Sequence, residues 1–262
     1  MGYINVTDAA DKIGVYRNGY WFLDSNNNGT WDGTSNDAIF YLGGPGNATV
    51  TGDWNGNGRD KIGIFNISRG QWYLDYNGNG VLDAIDASRT TTYNISFGMA
   101  GDQPVSGYWD GIGNPNGTSN VGVFRNGIWY VDWNGNGAWD AVDAAHTKGP
   151  FGQAGDIAVA GDWNGNRTTK IGVFRNGFWY VDWNNNGIWD AEDAQHIGFF
   201  GQAGDGPVIG DWTGDGISKF GVLRNGIWYV DWNGNGQWDV VDAAHTKGPF
   251  GQAGDIPVAG KW

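Results

Sequence analysis

The sequence predicts an all-β fold made of repeats, and three observations support this prediction. One unit recurs five times along the 262 residues. Each copy holds two runs of β-branched and aromatic residues, joined in four copies by Asn-Gly, a dipeptide typical of β-hairpin turns. Equivalent positions lie about 50 residues apart, which is the length of one four-stranded blade. We therefore predict one domain, residues 1–262, that forms a five-bladed β-propeller with four antiparallel strands per blade.

The clearest part of each unit contains the second and third strands and runs into an Asp-rich loop. In the copy "KIGVFRNGFWYVDWNNNGIWD", the runs "KIGVFR" and "FWYV" have the composition of strands, and Asn-Gly forms the turn between them. Both faces of the third strand are apolar, as expected where blades pack on either side of it. The five copies of this part are residues 12–32, 61–83, 120–140, 170–190 and 219–239.

The first and fourth strands are predicted from the segments in between. A short segment that ends in Trp, such as "IAVAGDW", is the predicted first strand. The fourth strand is expected around "AIFYLGG" or "HTKGPFGQ", although "WDAVDAAH" is also compatible with a short helical turn. The 17 Trp recur at four positions of the repeat. We assign those in the first strand, in the third strand and inside the loop to the core between blades.

The order of segments predicts how the ring closes. The chain begins just before a second strand and ends on "IPVAGKW", a first-strand segment. Residues 256–262 are therefore predicted to complete the first blade, which leaves no open sheet edge and favours a monomer. A parallel β-helix is the alternative, but its coils are shorter than this period.

Charge and composition exclude several classes of partner. The formal net charge of −13 argues against nucleic acid and anionic lipid, which need clustered Lys and Arg. No apolar run is long enough to span a membrane, and the N-terminus lacks a basic start followed by an apolar stretch. Cys is absent, so disulfides and thiolate metal sites are excluded.

Glycosylation sequons favour an extracellular or cell-surface location, with the chain as a segment of a larger secreted protein. The Asn-x-Ser/Thr acceptors outnumber the chance expectation, although Asn-rich turns also create sequons by accident. The acceptors are Asn5, Asn28, Asn47, Asn66, Asn94, Asn116 and Asn166.

The Asp-rich loop has the spacing of a calcium loop. In "DWNGNGAWDAVD", side-chain oxygens fall at positions 1, 3, 5, 9 and 12, and a Gly at position 6 allows a sharp turn. The corresponding residues are Asp132, Asn134, Asn136, Asp140 and Asp143, with the carbonyl of Ala138 at position 7 as a further ligand. Calcium takes six to eight hard oxygen ligands, which alternate side chains on a tight loop can supply.

Four other copies of this loop extend the prediction to as many as five Ca²⁺ ions. The predicted ligands in three of them are Asp75, Asn77, Asn79, Asp83 and Asp86; Asp182, Asn184, Asn186, Asp190 and Asp193; and Asp231, Asn233, Asn235, Asp239 and Asp242. The first copy has Asp24, Asn26, Asn28 and Asp32. It has Ser35 at position 12, so that site should be weaker unless Asp37 substitutes. The alternative is that the same residues form Asx turns without a metal.

Units such as "GDWNGNGRDKIGIF" resemble the FG-GAP or VCBS-type repeats of integrin-α-like propellers. The Asp-rich loop that follows is similar to the EF-hand-like loops of dockerins. The resemblance covers the whole chain and implies a calcium ion in the earlier loop, which opens at Asp53. Its ninth position carries Lys61, however, and Lys170, Lys219 and Lys12 align with it. Because an ammonium group repels a cation, we predict that this first loop is empty and that the Asp-rich loop is filled.

A non-enzymatic function is predicted, because no nucleophile or metalloprotease motif occurs. His146, His196 and His245 share one repeat position, which favours surface His over a catalytic cluster. The first candidate is a calcium-stabilised structural or adhesion module whose partner is a surface or matrix protein. The second is a lectin whose aromatic residues at loop position 2 stack on glycans, although these rings could simply cover neighbouring residues. Those aromatic residues are Tyr76, Trp133, Trp183 and Trp232.

Overall fold

The computed structural model describes residues 9–86, 97–111 and 117–262. Within these ranges the protein is all-β, as predicted, with only short helical segments. The strands are β1 Lys12–Arg17, β2 Tyr20–Leu23, β3 Ala38–Tyr41, β4 Asn47–Gly52, β5 Lys61–Asn66, β6 Gln71–Leu74, β7 Gln103–Gly107, β8 Asn120–Arg125, β9 Ile128–Val131, β10 Ile157–Gly161, β11 Lys170–Arg175, β12 Phe178–Val181, β13 Gly198–Phe199, β14 Gly206–Gly210, β15 Lys219–Arg224, β16 Ile227–Val230 and β17 Ile256–Gly260.

Five antiparallel sheets follow the five sequence repeats and are numbered here as units. In strand order, unit 1 is β17-β1-β2-β3, unit 2 is β4-β5-β6 and unit 3 is β7-β8-β9. Unit 4 is β10-β11-β12-β13 and unit 5 is β14-β15-β16. In unit 1 the register runs from Lys12 opposite Gly260 to Tyr16 opposite Ile256, so the last strand of the chain is the first strand of this sheet.

The turn between the second and third strands follows the prediction from Asn-Gly. The Asn residues of these turns adopt φ angles between 51° and 53°, and a Gly with positive φ follows each of them. Asn and Gly tolerate this left-handed region, and the resulting turn matches the twist of a hairpin. The four turn residues are Asn18, Asn126, Asn176 and Asn225.

In the described structure the predicted fourth strand has four residues in unit 1 and only two in unit 4. In units 3 and 5 it is reduced to one antiparallel bridge, Trp129 with Lys148 and Trp228 with Lys247. Pro follows two residues after each Lys and has no N–H with which to extend the ladder. In unit 2 the segment falls in residues 87–96, outside the described residues.

A short helix, not a strand, follows the Asp-rich loop in units 3 and 5. These helices are α1 Ala141–Ala145 and α2 Val240–Ala243, and a 3₁₀ helix covers Asp193–His196 in unit 4. The last Asp of the loop forms a capping box with the Asp at position 9, so the loop itself starts the helix. No helix in the described ranges is long and apolar enough to cross a membrane.

The hydrophobic core lies between the sheets. There are five buried clusters among the described residues, and each joins the side chains of two consecutive units. One of them packs Trp129 and Phe151 of unit 3 against Ile171 and Val173 of unit 4. Another packs Trp228 of unit 5 against residues of unit 1. Consecutive sheets therefore stabilise each other by burying the apolar faces of both.

The Trp residues inside the Asp-rich loops were predicted to lie in the core, and this prediction is wrong. The Trp side chains of the third strands are buried in the clusters, as expected. Those of the loops remain 39–44% exposed and pack edge-on against aromatic rings, as Trp139 does against Phe97 and Tyr130. With about two fifths of each side chain exposed, these residues lie at the surface rather than in the core. They are Trp31, Trp139, Trp189 and Trp238.

The first strands of the five units contact one another in a cycle. β4 contacts β7, β7 contacts β10, β10 contacts β14, β14 contacts β17, and β17 contacts β4. A cavity of about 1030 Å³ is lined by one residue or more from each of these strands. The residues of the five strands that line it include Thr51, Ser106, Ala160, Ile209 and Ala259.

Reciprocal hydrogen bonds join each unit to the next beside this cavity. Ser119 N donates to Asp53 O at 2.8 Å, and Ser119 Oγ accepts from Asp53 N at 3.0 Å. The equivalent residues form the same pair of bonds with the preceding unit, and unit 1 forms it with unit 5. We call these five residues the latch residues: Asp11, Asp60, Ser119, Thr169 and Ser218.

Candidate metal centre

The Asp-rich loop of unit 3 takes its shape from Asp132, which directly follows β9. The buried carboxylate of Asp132 accepts hydrogen bonds from Asn136 N at 3.1 Å and from Gly137 N at 2.8 Å. Gly137 has a φ of 74°, so the turn at position 6 needs the freedom that the sequence predicts. The first predicted ligand therefore lies at the floor of the loop and faces its backbone.

Three of the predicted ligands meet at one point. Asn134 Nδ2 and Asn136 Nδ2 both donate to Asp140 Oδ2, at 2.9 Å and 2.8 Å. The two amide oxygens accept from the loop backbone, Asn134 Oδ1 from Asn136 N at 3.1 Å and Asn136 Oδ1 from Ala138 N at 2.8 Å. Positions 3, 5 and 9 would direct three oxygens to the same place only after both amides rotate and give up these bonds.

The position-12 carboxylate closes the loop. Asp143 Oδ1 accepts from Trp133 N at 2.8 Å, and Asp143 Oδ2 accepts from Asp140 N at 2.9 Å. Each carboxylate oxygen has a second lone pair, so these bonds leave capacity for a cation. Ala138 lies in the same turn, where its N–H donates to Asn136 Oδ1 at 2.8 Å.

The other units repeat this arrangement. The amides at positions 3 and 5 donate to the Asp at position 9 in every copy. The position-12 Asp accepts from the backbone at positions 2 and 9 in units 2, 4 and 5. The residues that the structure brings together in these three units are Asp75, Asn77, Asn79, Asp83 and Asp86; Asp182, Asn184, Asn186, Asp190 and Asp193; and Asp231, Asn233, Asn235, Asp239 and Asp242.

Unit 1 uses Asp37 in place of the residue at position 12. Asp37 is buried and accepts from Ser25 N at 3.1 Å and from Asp32 N at 2.7 Å, the two roles that Asp143 has in unit 3. Ser35, which the spacing places at position 12, is exposed. The loop of unit 1 is therefore two residues longer than the others, and its acidic set is Asp24, Asp32 and Asp37 together with the amides of Asn26 and Asn28.

Negative charge accumulates at the floor of the loops. Burial raises the pKa of Asp132 and of Asp231 to about 6, and the adjacent carboxylates of Asp143 and Asp242 contribute to this effect. Burial also raises the pKa of Asp24, Asp75 and Asp182. A divalent cation near these groups would favour their ionised forms, so the electrostatics of the loop suit a cation.

Asp182 provides a separate test of whether a cation fits. Its side chain is fully buried, and its Oδ1 accepts no hydrogen bond of normal geometry in the described structure, although the N–H of Asn186 lies close enough to lower its pKa. Buried carboxylate oxygens are normally satisfied by a donor or a metal. This oxygen of Asp182 belongs to position 1 of the loop, which is the first predicted ligand. The donor set of this loop therefore fits a calcium ion.

No group of three or more His, Cys, Asp or Glu arranged to hold a metal occurs within residues 9–86, 97–111 and 117–262. The loops supply two of their five side-chain oxygens from Asn, and their buried Asp residues bond to the loop backbone. A set of three acidic residues directed at one point is accordingly not formed. The candidate centre depends on the mixed Asp and Asn set described above.

The earlier loop holds a lysine ammonium in units 2, 4 and 5, whereas Asn120 stands at the equivalent position in unit 3. Lys61 Nζ donates to Asp53 Oδ1 at 2.9 Å, to Asn57 Oδ1 at 2.9 Å and to Arg59 O at 2.6 Å. Lys170 Nζ is 3.1 Å from Asp162 Oδ1. Lys219 Nζ differs, because it lies closer to Asp215 than to Asp211. The ammonium groups thus satisfy the oxygens that would otherwise face a cation.

The aromatic residues at loop position 2 stack on histidine. The ring centroids are 3.8 Å apart in Trp133–His146, 3.6 Å in Trp183–His196 and 3.9 Å in Trp232–His245, with nearly parallel planes. All three Trp are half-buried and also pack against the clusters between units. Tyr76 packs against such a cluster without a His at the equivalent position. The sequence carried the clue to this stack, because the Trp and the His occur in the same three units.

Two sequons of the described residues are exposed, and one of them overlaps a candidate ligand. Asn28 and Asn166 are exposed, whereas Asn47 and Asn66 are half-buried at strand ends. Asn28 also lies at position 5 of the first loop, so glycosylation there would compete with metal binding. The sequons at Asn5, Asn94 and Asn116 lie outside the described residues.

At the end of each third strand the loop brings two Asn amides and one Asp together, with the amide nitrogens directed at the carboxylate, so a hard cation would require both amides to rotate. The arrangement offers no nucleophile paired with a base at these loops, since the described His rings stack on Trp and bond to backbone carbonyls. Comparison of the chain with family models, with curated proteins and with solved structures finds no match.

Proposed function

We propose that the five units form a closed five-bladed β-propeller, an arrangement that three observations support. The first strands contact one another in a cycle, as blades do around a central axis. Each core cluster lies between two consecutive sheets, and the cycle includes the junction of units 5 and 1. The cavity is lined by the first strands of all five units, which is the position of the central channel in such a ring.

The proposed function of this ring is that of a calcium-stabilised, non-enzymatic structural or adhesion module outside the cell. The observation that carries it is the repeated loop, in which two Asn amides and one Asp meet beside a buried Asp. Hard oxygens of this kind are the ligands that calcium prefers. Because Asn replaces Asp at positions 3 and 5, the ligand charge is low, which suits the high calcium concentrations found outside cells.

Calcium would act on stability rather than on chemistry. A ligand that binds only the folded state stabilises it by about 2.7 kcal/mol per site at one hundred times its Kd. Calcium bound at the repeated loops would hold the third strands and the short helices at the rim of the ring. A rigid rim then presents a repeated surface to a protein partner at the cell surface or in the matrix, in keeping with the resemblance to integrin-α-like repeats.

Carbohydrate binding is the second candidate, and the exposed Trp of the loops favours it. The faces of the predicted residues at position 2 are covered by His on one side. Trp139 and its equivalents, by contrast, are 39–44% exposed at four of the five junctions between units. A glycan array with Trp139→Ala and Trp133→Ala tests this function. Loss of a bound glycan in the first variant but not in the second would support it.

Thermal unfolding with metal analysis tests the calcium proposal. We expect Tm to rise by several degrees in millimolar calcium and to return in EDTA, because the metal binds only folded loops. Elemental analysis after dialysis should find several calcium ions per chain. Magnesium serves as the control, since it needs a more regular octahedral shell. An unchanged melting curve together with absent metal would contradict the proposal.

A further inference from the structure

The residue that pairs with the Trp of the third strand faces the Asp-rich loop of the next unit. In units 3 and 5 this residue is Lys148 and Lys247, and in units 1 and 4 it is Phe40 and Gly198. Position 6 of each facing loop shows the contact. A Cβ built on Gly187 would meet Lys148, one on Gly29 would meet Lys247, and one on Gly80 would meet the ring of Phe40. Within the described structure, two of the five loops therefore face such a lysine of the preceding unit.

The two lysines reach into these loops. Lys148 Nζ donates to Asn185 O at 3.0 Å and to Asn185 Oδ1, and it lies 3.8 Å from Asp182 Oδ2. Lys247 Nζ donates to Asn27 Oδ1 at 2.6 Å. Both ammonium groups thus bond to the residue at loop position 4, close to the buried Asp at position 1.

The sequence at position 4 follows the presence of the lysine. The loops that face a lysine carry Asn27 and Asn185, with φ angles of 60° and 66°. The other three loops carry Gly78, Gly135 and Gly234 at the same position, also with positive φ. Gly adopts this conformation without strain, whereas Asn does so at some cost. Asn therefore occurs where its side-chain oxygen accepts a bond from the lysine.

We propose that Lys148 and Lys247 divide the loops into two classes of calcium site. Loops 24–37 and 182–193 contain a positive charge of the protein that opposes calcium. Among the described residues, no such charge enters loops 75–86, 132–143 and 231–242. This inference rests on the proposed calcium function and adds that the loops fill in two steps, the lysine-facing loops last.

The lysines that approach the other loops do not weaken this division. The methylene groups of Lys61 and Lys219 lie against Gly78 and Gly234. Their ammonium groups, however, bond to oxygens of the earlier loop in the same unit. Loop 24–37 receives a second ammonium, since Lys12 Nζ donates to Ser25 O at 2.7 Å. In the described part of the chain, the excess of positive charge is therefore confined to the two loops of the weaker class.

In loop 182–193, Lys148 and a calcium ion would compete for the carboxylate of Asp182. Asp182 is fully buried, its Oδ1 accepts no hydrogen bond of normal geometry, and Lys148 is its only ion-pair partner in the described structure. A calcium ion at this carboxylate would lie within a few ångströms of the ammonium, where repulsion between cations is strong. Calcium must therefore displace Lys148, which also ends the contact of that side chain between units 3 and 4.

Titration of the whole chain with calcium, followed by calorimetry, tests this division with Lys148→Met. In the unmodified protein we expect two affinity classes. In the variant, one site should leave the weak class and bind at least about tenfold more tightly, because the opposing charge is gone. The calcium-free variant should also melt at a lower temperature, since Asp182 loses its partner. Lys247→Met should also raise the affinity of loop 24–37, but by a smaller factor, because the ammonium of Lys12 still contacts that loop.

Two controls assign the effect to the facing loop. Asn185→Gly keeps the lysine charge and should leave the weak affinity within about threefold of its original value. Adding Asp190→Ala to Lys148→Met removes a ligand of the same loop and should abolish the gain. The mirror variant, Phe40→Lys, introduces a lysine opposite loop 75–86 and should weaken calcium binding there about tenfold, whereas Phe40→Met should not. This mirror variant keeps the test decisive if Lys148→Met folds poorly.

The outcomes separate the two proposals. If the unmodified chain binds no calcium, both the calcium function and the division of the loops are wrong. If calcium binds in one class and neither Lys148→Met nor Phe40→Lys changes any affinity, only the division is wrong. A gain in affinity in Lys148→Met that Asp190→Ala abolishes would establish the lysine as a determinant of calcium affinity.

Discussion

The latch residues show how one substitution changes the chemistry of a repeated position. Units 3, 4 and 5 use the hydroxyls of Ser119, Thr169 and Ser218, whereas units 1 and 2 use carboxylates. Asp11 Oδ2 accepts from Asp211 N at 2.8 Å, the same kind of bond that Ser119 Oγ makes in unit 3. Asp11 is half-buried beside the cavity, where desolvation, and after it the charge of Asp60, raises its pKa to about 8 against the opposing effects of the bond from Asp211 and the charge of Lys261.

Replacing Asp11 by Ser should stabilise the protein at alkaline pH. The folded state raises the pKa of this group above its unfolded value of 3.8. Its contribution is therefore fully present below about pH 4 and is lost as pH rises towards 8. Asp11→Ser keeps an acceptor for Asp211 N and removes this loss. We expect the variant to gain on the order of 1 kcal/mol over the unmodified protein at pH 8 and little at pH 4.

Chemical unfolding at several pH values measures this difference. Ser218→Asp is the reverse variant and should lose stability as pH rises, because it introduces a carboxylate at an equivalent position. Parallel stability profiles for Asp11→Ser and the unmodified protein would show that Asp11 titrates normally.

The roles of several individual residues could not be predicted from the sequence. Asp37 could be suggested from the sequence, but only the structure shows that it takes the role expected of Ser35, because two inserted residues shift the spacing. The latch could not be predicted, since Ser119 resembles an ordinary turn residue and its partner Asp53 is 66 residues away. The apolar side chain of Trp139 is expected in the core from the sequence, but in the structure it is 42% exposed.

The Asp-rich loop divides its residues between structure and metal binding. Asp132 and Asp143 bond to backbone N–H groups, so they hold the loop in shape without a cation. Asn134 is exposed and contacts only other loop residues through its side chain. The buried acids should accordingly matter with or without calcium, and the exposed amides mainly with calcium.

Two substitutions in one loop test this division of roles. In EDTA, Asp143→Ala should cost about 1–3 kcal/mol, because Trp133 N and Asp140 N lose their acceptor. Asn134→Ala should cost less than about 1 kcal/mol in EDTA, since its bonds are exposed to water. With calcium, Asn134→Ala should lose part of the stabilisation that the metal provides.

Urea unfolding of both variants, in EDTA and in calcium chloride, measures these effects. The matched control is Asn233→Ala in unit 5, which should behave as Asn134→Ala does. Asn233 Nδ2 donates to Asp239 Oδ2 at 2.9 Å, as Asn134 Nδ2 does to Asp140 Oδ2. Equal losses for Asp143→Ala and Asn134→Ala in EDTA would show that the two positions are not distinct.

At the scale of the whole molecule, the five sheets could be predicted from the repeat, whereas the contacts between units could not. Five copies of one strand pattern predict five sheets, because local composition and Asn-Gly turns decide each hairpin. The fourth strand could be predicted only in part, since its extent depends on whether Pro follows the residue that pairs with the Trp. Contacts between units depend on residues far apart in sequence, which periodicity does not pair.

An Arg–Asp pair holds the first strand of a unit to its second strand. Arg175 Nε and Nη2 donate to the two oxygens of Asp156, which is almost fully buried. Units 3 and 5 contain the same pair, and in unit 1 it joins Arg17 to Asp255. The pair in unit 1 spans 238 residues of sequence, whereas the pair in unit 4 spans 19. Of these four pairs, the one in unit 1 alone connects segments from opposite ends of the chain.

Arg17→Ala should therefore release β17 more than Arg175→Ala releases β10. Each variant leaves a buried carboxylate without its partner, at a cost of about 1–3 kcal/mol. In unit 4 the short connection keeps β10 beside β11 after the pair is lost. In unit 1 no short connection joins β17 to β1, so the strand ladder, the core packing and this pair hold β17 in place. Hydrogen exchange should thus quicken in β17 of Arg17→Ala well beyond its rate in β10 of Arg175→Ala, with the hairpins of units 2 to 4 still protected. Equal exchange rates in the two strands would mean that packing alone holds β17, independently of the Arg17–Asp255 pair.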